Sequence, residues 1–253
     1  MKTIGGFLCA RNLISLDYCW REAIQSMLPI CDQISVSDCE STDGTLEALR
    51  EWSKAEPKIT ICHFPWTDPK GDPSWYPGWL SHARENLKTD YAIYLDADEI
   101  FEPAHLQRIR DGAERGEVLQ CYRWNFWRDP KHLIPKGVCL GTDVIRAAPQ
   151  RMFLPSDYPD PRATEAMSLA KPAEVWIYHY GFLRERGAFF RKARTVQRIW
   201  ANDYDPRLEK AETFDGQWAT MPGVTGWEDK LANFDFPHPE IIKPWLRERG
   251  MEV

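Results

Sequence analysis

Three carboxylates, Asp96, Asp98 and Glu99, close the apolar run Tyr91-Ala-Ile-Tyr-Leu-Asp-Ala-Asp-Glu-Ile100. On an extended strand side chains alternate between faces, so Asp96 and Asp98 are expected on one side where the strand opens into a loop. Two hard oxygen donors there suit Mn²⁺ or Mg²⁺, which take one or two protein carboxylates and fill the remaining positions with water and substrate phosphate. The same residues would also serve as a solvated strand end with an Asp capping a turn. What the rest of the chain brings to that place decides between the two.

The elements before the motif alternate strand and helix. Ile4 to Cys9 is a short apolar run suited to a buried strand, followed by Arg11-Asn12 in a loop and a helical pattern from about Asp17 to Met27. A second strand, Gln33 to Ser37, runs into Asp38-Cys-Glu-Ser-Thr-Asp-Gly-Thr45, a segment of turn formers and helix caps, and Leu46 to Trp52 is helical. A third strand, Lys58 to Phe64, leads through a loop rich in Pro, Gly, Asp and Trp from Pro65 to Gly78 to a helix containing His82-Ala-Arg-Glu-Asn86, and the fourth strand ends at the acidic motif. This rhythm predicts an α/β fold with a mostly parallel, Rossmann-like sheet flanked by helices and a smaller extension contributed by the second half. Ligands of such sheets gather beyond the carboxyl ends of the strands. Arg11-Asn12, Asp38 to Asp43 and Asp96 to Glu99 are therefore expected around one crevice.

Composition narrows the partners. The 253 residues suffice for one large domain, 1–253, and the net charge of -6 argues against a general nucleic-acid coat. Seven cysteines, scattered and without a Cys-x-x-Cys, support neither a disulfide framework nor a zinc site, which favours a reducing, cytoplasmic location. No apolar run reaches the length of a signal peptide core or a membrane span.

On Ala10-Arg11-Asn12, Asp38-x-x-Ser41-x-Asp43-x-Thr45, Ala83-Arg84-Glu-Asn86 and Leu95-Asp96-Ala97-Asp98-Glu99, in that order, the chain resembles the nucleotide-sugar-dependent glycosyltransferases of GT-A fold, most closely family 2. The resemblance covers residues 1 to 125 well, and Ile177-Tyr-His179-Tyr-Gly181 is its clearest point beyond. Two departures are visible. Leu13 stands where relatives often carry an acid after Arg-Asn, and the chain lacks the Gln-x-x-Arg-Trp segment of processive synthases, having Gln197-Arg198-Ile-Trp200 instead.

The resemblance implies a soluble, metal-dependent enzyme that moves one sugar from a nucleotide diphosphate sugar, a UDP-sugar by analogy, to a hydroxyl on a glycan or lipid-linked glycan, with inversion. Asp98 would ligate Mn²⁺ or Mg²⁺, with Asp96 reaching the metal through water or touching the ribose, and His179 would complete the shell. Asp38 would meet the base, with Ala10, Arg11, Asn12, Ser41 and Arg84 lining the donor site. Residues 1–125 would hold the donor and 126–253 the acceptor. For the general base Glu165 leads and Asp157 follows, with Asp160 in the same Pro-rich loop; each would also serve as a solvated loop charge. Trp124, Phe126 and Trp127 fit one apolar strand face better than an acceptor platform.

One basic segment runs against the acidic background: Arg184, Arg186, Arg191, Lys192, Arg194 and Arg198 share it with one acid, Glu185. An ordinary solvated helix face explains it, as does a grip on the donor diphosphate or on a phosphate-bearing acceptor. Other readings stay open. They are transfer to hydroxylated bases of phage-type modified DNA, a sugar nucleotidyltransferase, and a catalytically silent sugar-nucleotide-binding module.

Overall fold

The computed structural model describes residues 1–67, 75–135, 143–152, 168–200 and 230–253. Strands β1 (Ile4–Ala10), β2 (Gln33–Asp38), β3 (Ile59–His63) and β4 (Tyr91–Tyr94) form a parallel sheet in the order β3-β2-β1-β4. Beyond β4 the sheet continues with β8 (Asp143–Pro149), β6 (Val118–Trp127), β7 (Asp129–Leu133) and β10 (Ala232–Asn233), each antiparallel to its neighbour. Strand β9 (Ala170–His179) lies parallel to β6 and antiparallel to the short β5 (Glu99–Phe101). The expected α/β architecture is present, a parallel sheet of four strands continued by antiparallel strands and flanked by helices. The helices are α1 (Trp20–Met27), α2 (Thr45–Ala55), α3 (Trp75–Glu85), α4 (Leu106–Arg115), α5 (Arg186–Trp200) and α6 (Lys243–Glu248).

Period-two alternation sorts the strand residues between two cores. Ile4 and Leu8 of β1, with Tyr91 and Ile93 of β4, pack against Ile24 and Met27 of α1, Leu49 of α2 and Ile109 of α4. Phe7 and Cys9, with Ala92 and Tyr94, face Trp75, Trp79, Leu80 and Ala83 of α3. Both faces of the sheet are covered, so β1 and β4 read as unbroken apolar runs. A third core joins Ile100, Phe126, Tyr178 and Tyr180 to Phe234, Trp245 and Leu246 near the chain's end. Phe126 and Trp127 are both buried although neighbours on a strand face opposite ways, so the end of β6 is covered on both faces and not on one as expected, and the half-buried Trp124 stacks on Trp176 at 4.4 Å.

Helix α3 already begins at Trp75, inside the stretch expected as loop to Gly78, and two further boundaries move for reasons visible in the contacts. The first helix begins at Trp20 rather than Asp17, because Asp17 sits at φ 52 and its carboxylate is taken by Arg249 and by the amide of Glu185. The fourth strand stops at Tyr94, so Asp96 and Asp98 lie in a turn closed by the Glu99 amide donating to the Asp96 carbonyl at 3.0 Å. Strand alternation therefore does not orient the two aspartates, and each has its own surroundings. Among the described residues no helix is long and apolar enough to cross a membrane.

Candidate functional site

The turn after β4 is held from below by Glu99, which is fully buried. Arg123 of β6 donates to it at 2.9 Å, and Arg146 of β8 donates to both of its oxygens at 3.0 Å. Burial alone would raise its pKa, but the two guanidiniums outweigh that and hold Glu99 below the usual carboxylate range. The third acid of the motif is thus a strut that fixes the turn.

Asp96 keeps 24% of its side chain accessible and accepts from the hydroxyls of Tyr94 and Tyr76 and, at 3.4 Å, from Arg146. Loss of solvent and the neighbouring Glu99 push it up to about 6. Asp98 is buried. Its Oδ2 accepts from Arg184 at 2.5 Å and Lys192 at 2.7 Å, and its Oδ1 lies 3.6 Å from Nε2 of His179. Burial would raise Asp98 too, yet Lys192, His179 and Arg184 together hold it well below the ordinary value. His179 ends β9 opposite Glu99, and burial pushes it down to about 4, so the ring is neutral at pH 7. Gly181 lets these groups meet: a Cβ there would lie 2.5 Å from His179 Nε2 and 2.9 Å from Asp98 Oδ2.

The two loops beyond β1 and β2 are tied to each other. Ala10 pairs with Asp38 at the carboxyl end of the sheet. Asn12 adopts φ 50, a conformation Asn tolerates, and from it accepts the Thr42 amide at 2.7 Å while its own amide donates to the Ser41 hydroxyl at 3.0 Å. Arg11 donates to the carbonyls of Cys39 and Glu40 and lies 3.6 Å from the centre of the Trp66 ring. Asp38 is 3% exposed; its Oδ2 accepts the Ser41 amide at 3.1 Å, and its Oδ1 is buried with no hydrogen-bond partner among the described residues.

Ala10, Arg11, Asn12, Asp38 and Ser41 therefore form one rim, while Asp96, Asp98 and His179 cluster beyond β4 and β9. Arg84 is not brought there. Its carbonyl accepts from Gln150, next to the start of β4, and the following turn bonds to Gln33 at the start of β2, so its backbone lies at the opposite end of the strands. It stands about 12 Å further along α3 than Tyr76, which does reach Asp96. Glu165, Asp157 and Asp160 lie outside the described residues, as does the side chain of Arg198.

Sequence reasoning missed Arg123, Arg146, Tyr94, Tyr76 and Gly181 as site builders. It had Arg184 and Lys192 only as members of a basic run. The available signal for Arg123 and Arg146 was a lone arginine inside each apolar strand, since a charge buried in a sheet needs a buried partner.

The expected Mn²⁺ or Mg²⁺ does not fit these residues. Among the described residues no group of three or more His, Cys, Asp and Glu is placed to hold a metal. At the turn, Asp98 and His179 approach each other to 3.6 Å. Around the turn, Asp96, Asp98 and Glu99 are outnumbered by Arg123, Arg146, Arg184 and Lys192, all within ion-pair distance of them. With His179 neutral the cluster carries excess positive charge, which repels a divalent cation. A cavity of about 450 Å³ lined by Lys131, His132, Phe236 and Lys243, among others, contains none of the expected site residues.

The family model described as Glycosyl transferase family 2 matches residues 15–137. No curated protein matches the chain. Among solved structures, S. aureus TarS 1-349 aligns with 14% identity and a TM-score of 0.48 over 81% of this chain and 67% of that one. The same protein in complex with UDP-GlcNAc gives 14% and 0.48, over 81% and 68%. The chain spans 39% of the longer TarS structure, at 11% identity and a TM-score of 0.47 over 77% of this chain. The family match takes in the loop that carries Asp38 and the turn that carries Asp96 and Asp98, so residues 15–137 are similar to the family 2 glycosyltransferases over the part of the chain that builds both clusters.

Proposed function

We propose that the protein transfers a single sugar from a UDP-sugar to a hydroxyl acceptor, a glycan or a lipid-linked glycan, with inversion. The observation that carries this reading is the buried Oδ1 of Asp38, an acceptor without a partner among the described residues. Leaving such an atom unmet costs about 1–3 kcal/mol, and an imide N–H of a bound base would meet it. The rim of Asn12 and Ser41 braces the loop that presents Asp38, and the Trp66 face stacked on Arg11 borders it.

Departure of a nucleoside diphosphate builds negative charge, and preorganised positive groups lower the barrier. The excess positive charge around Asp98 supports that role for the second cluster. The acceptor hydroxyl must lose a proton as it attacks the oxocarbenium-like centre from the opposite face, and Glu165, or Asp157 next to it in rank, is the proposed base. Residues 1–125 supply the base-binding rim. From residues 126–253, proposed as the acceptor half, Arg146, His179, Arg184 and Lys192 reach Asp96 and Asp98.

The test is calorimetric titration of UDP and uridine into wild type and Asp38→Asn, followed by UDP release from UDP-sugars in the presence of glycan acceptors. The asparagine can still accept the Ser41 amide but turns an N–H toward the base, so affinity for uridine should fall about tenfold or more with the fold unchanged. Equal affinities for the two proteins would remove the assignment of Asp38. UDP binding without release in the presence of acceptors would favour the silent binding module.

A further inference from the structure

Asp98 holds two cations where one would neutralise it, and the two are not alike. Arg184 is 1% exposed and all of its arms are committed: Nε donates to the Gly181 carbonyl at 2.8 Å, Nη1 to the Leu16 carbonyl at 2.7 Å, and Nη2 to Asp98. Its guanidinium also lies 4.0 Å from the centre of the Tyr18 ring. This arginine is built into the floor. Lys192, from the second turn of α5, keeps 23% of its side chain accessible, and among the described residues Asp98 is its hydrogen-bond partner. Its ammonium carries three donors on a flexible four-carbon stem.

The duplication has a consequence for ligand entry. Withdrawing the sole partner of a buried carboxylate would leave an uncompensated charge, which is strongly unfavourable. Withdrawing Lys192 does not, because Arg184 still neutralises Asp98. The lysine is therefore free to exchange a carboxylate that is already served for an anion of higher charge. The N-terminus of α5 does not compete for that anion, since Glu185 already accepts its amides at Gly187 and Ala188.

We propose that Lys192 is the exchangeable grip for the donor's diphosphate: it rests on Asp98 and moves to the phosphates on binding, so that a nucleoside diphosphate binds without a divalent cation. This rests on the glycosyltransferase reading above and names the residue that holds the leaving group. Asp98 is then the resting partner of Lys192 rather than a metal ligand.

The experiment titrates UDP, and in parallel GDP, ADP and uridine, into the full chain in EDTA and again with Mn²⁺ or Mg²⁺. Wild type should bind UDP in EDTA, with either metal changing the dissociation constant by less than about threefold. Lys192→Gln should weaken UDP by about tenfold, one lost charge-assisted contact, while uridine, which has no phosphate, binds as before. Lys192→Arg should recover most of the loss. Asp98→Asn should bind UDP in EDTA at least as tightly as wild type, because the lysine is released.

UDP binding that requires Mn²⁺ or Mg²⁺, or that disappears in Asp98→Asn while uridine binding persists, overturns the proposal and leaves the glycosyltransferase reading standing. Unchanged UDP affinity in Lys192→Gln overturns it as well. Absence of binding by all three diphosphates under both conditions removes the donor reading and the proposal together. The uridine titration and a thermal melt of each variant separate loss of the grip from loss of the fold.

Discussion

Gly181 shows how little room one atom has in this site. Its φ is not among the positive values found in the chain, so the glycine is needed for space and not for backbone freedom. A methyl group would stand 2.5 Å from His179 Nε2 and 2.9 Å from Asp98 Oδ2, and neither neighbour is the loose end of an exposed side chain. Overpacking of this kind costs about 1–3 kcal/mol, which for a chain of this length lowers the melting temperature by roughly 3–10 °C. Gly181→Ala should therefore melt lower than wild type in a thermal unfolding scan. A variant with the wild-type melt would show that His179 and Asp98 give way to a methyl group without cost. The sequence reading had Gly181 only as part of an Ile-Tyr-His-Tyr-Gly string, since the steric reason comes from Asp98, far away in the chain.

At the scale of elements, the turn is aimed by a charge clasp across three strands: Glu99 opens β5, Arg123 comes from β6 and Arg146 from β8. Replacing Arg146 with Met leaves a buried carboxylate with half of its clasp, and breaking such a pair costs about 3–5 kcal/mol at most, with Arg123 retaining part of it. Because Glu99 is held below its ordinary value in the folded protein, its contribution is present above the unfolded carboxylate pKa of about 4.3 and is lost as pH falls. Wild type should lose stability steeply below about pH 4.5 in a pH series of thermal melts, and Arg146→Met should start lower and show a shallower acid limb. An acid limb of equal slope in both proteins would mean that Arg146 does not depress Glu99. The strands themselves were readable, because burial on both faces writes them as apolar runs and the helices between them carry their own period. The clasp was not readable, because nothing local in Tyr122-Arg-Trp or Val144-Ile-Arg says which carboxylate lies beneath. The Asp17 boundary failed for the same reason, its partner Arg249 lying at the far end of the chain.

For the whole molecule, the first and second halves are less separable than the sequence suggests. The family match ends at residue 137, and the motifs that carry the resemblance lie almost wholly before 125. Strand β4 nonetheless pairs with β8 along Tyr91, Ala92 and Ile93, and β5 pairs with the end of β9. A chain stopping at 137 would present β4 as an open, apolar edge, the arrangement that invites aggregation. It would also leave Glu99 with Arg123 alone and strip Asp98 of Arg184, Lys192 and His179. Part of the third core would be missing too, since Ile100 and Phe126 pack on Tyr178, Tyr180 and Trp245. The fragment 1–137 should therefore elute as aggregate or expanded chain, lack a cooperative melt, and fail to bind UDP, although it contains Asp38, Asp96 and Asp98. The full chain should melt cooperatively and gain stability on adding UDP, by about 2.7 kcal/mol at a hundredfold excess over the dissociation constant. A fragment that melts cooperatively and binds UDP would mean that the basic side chains from the second half are dispensable for holding the donor, and Lys192 among them.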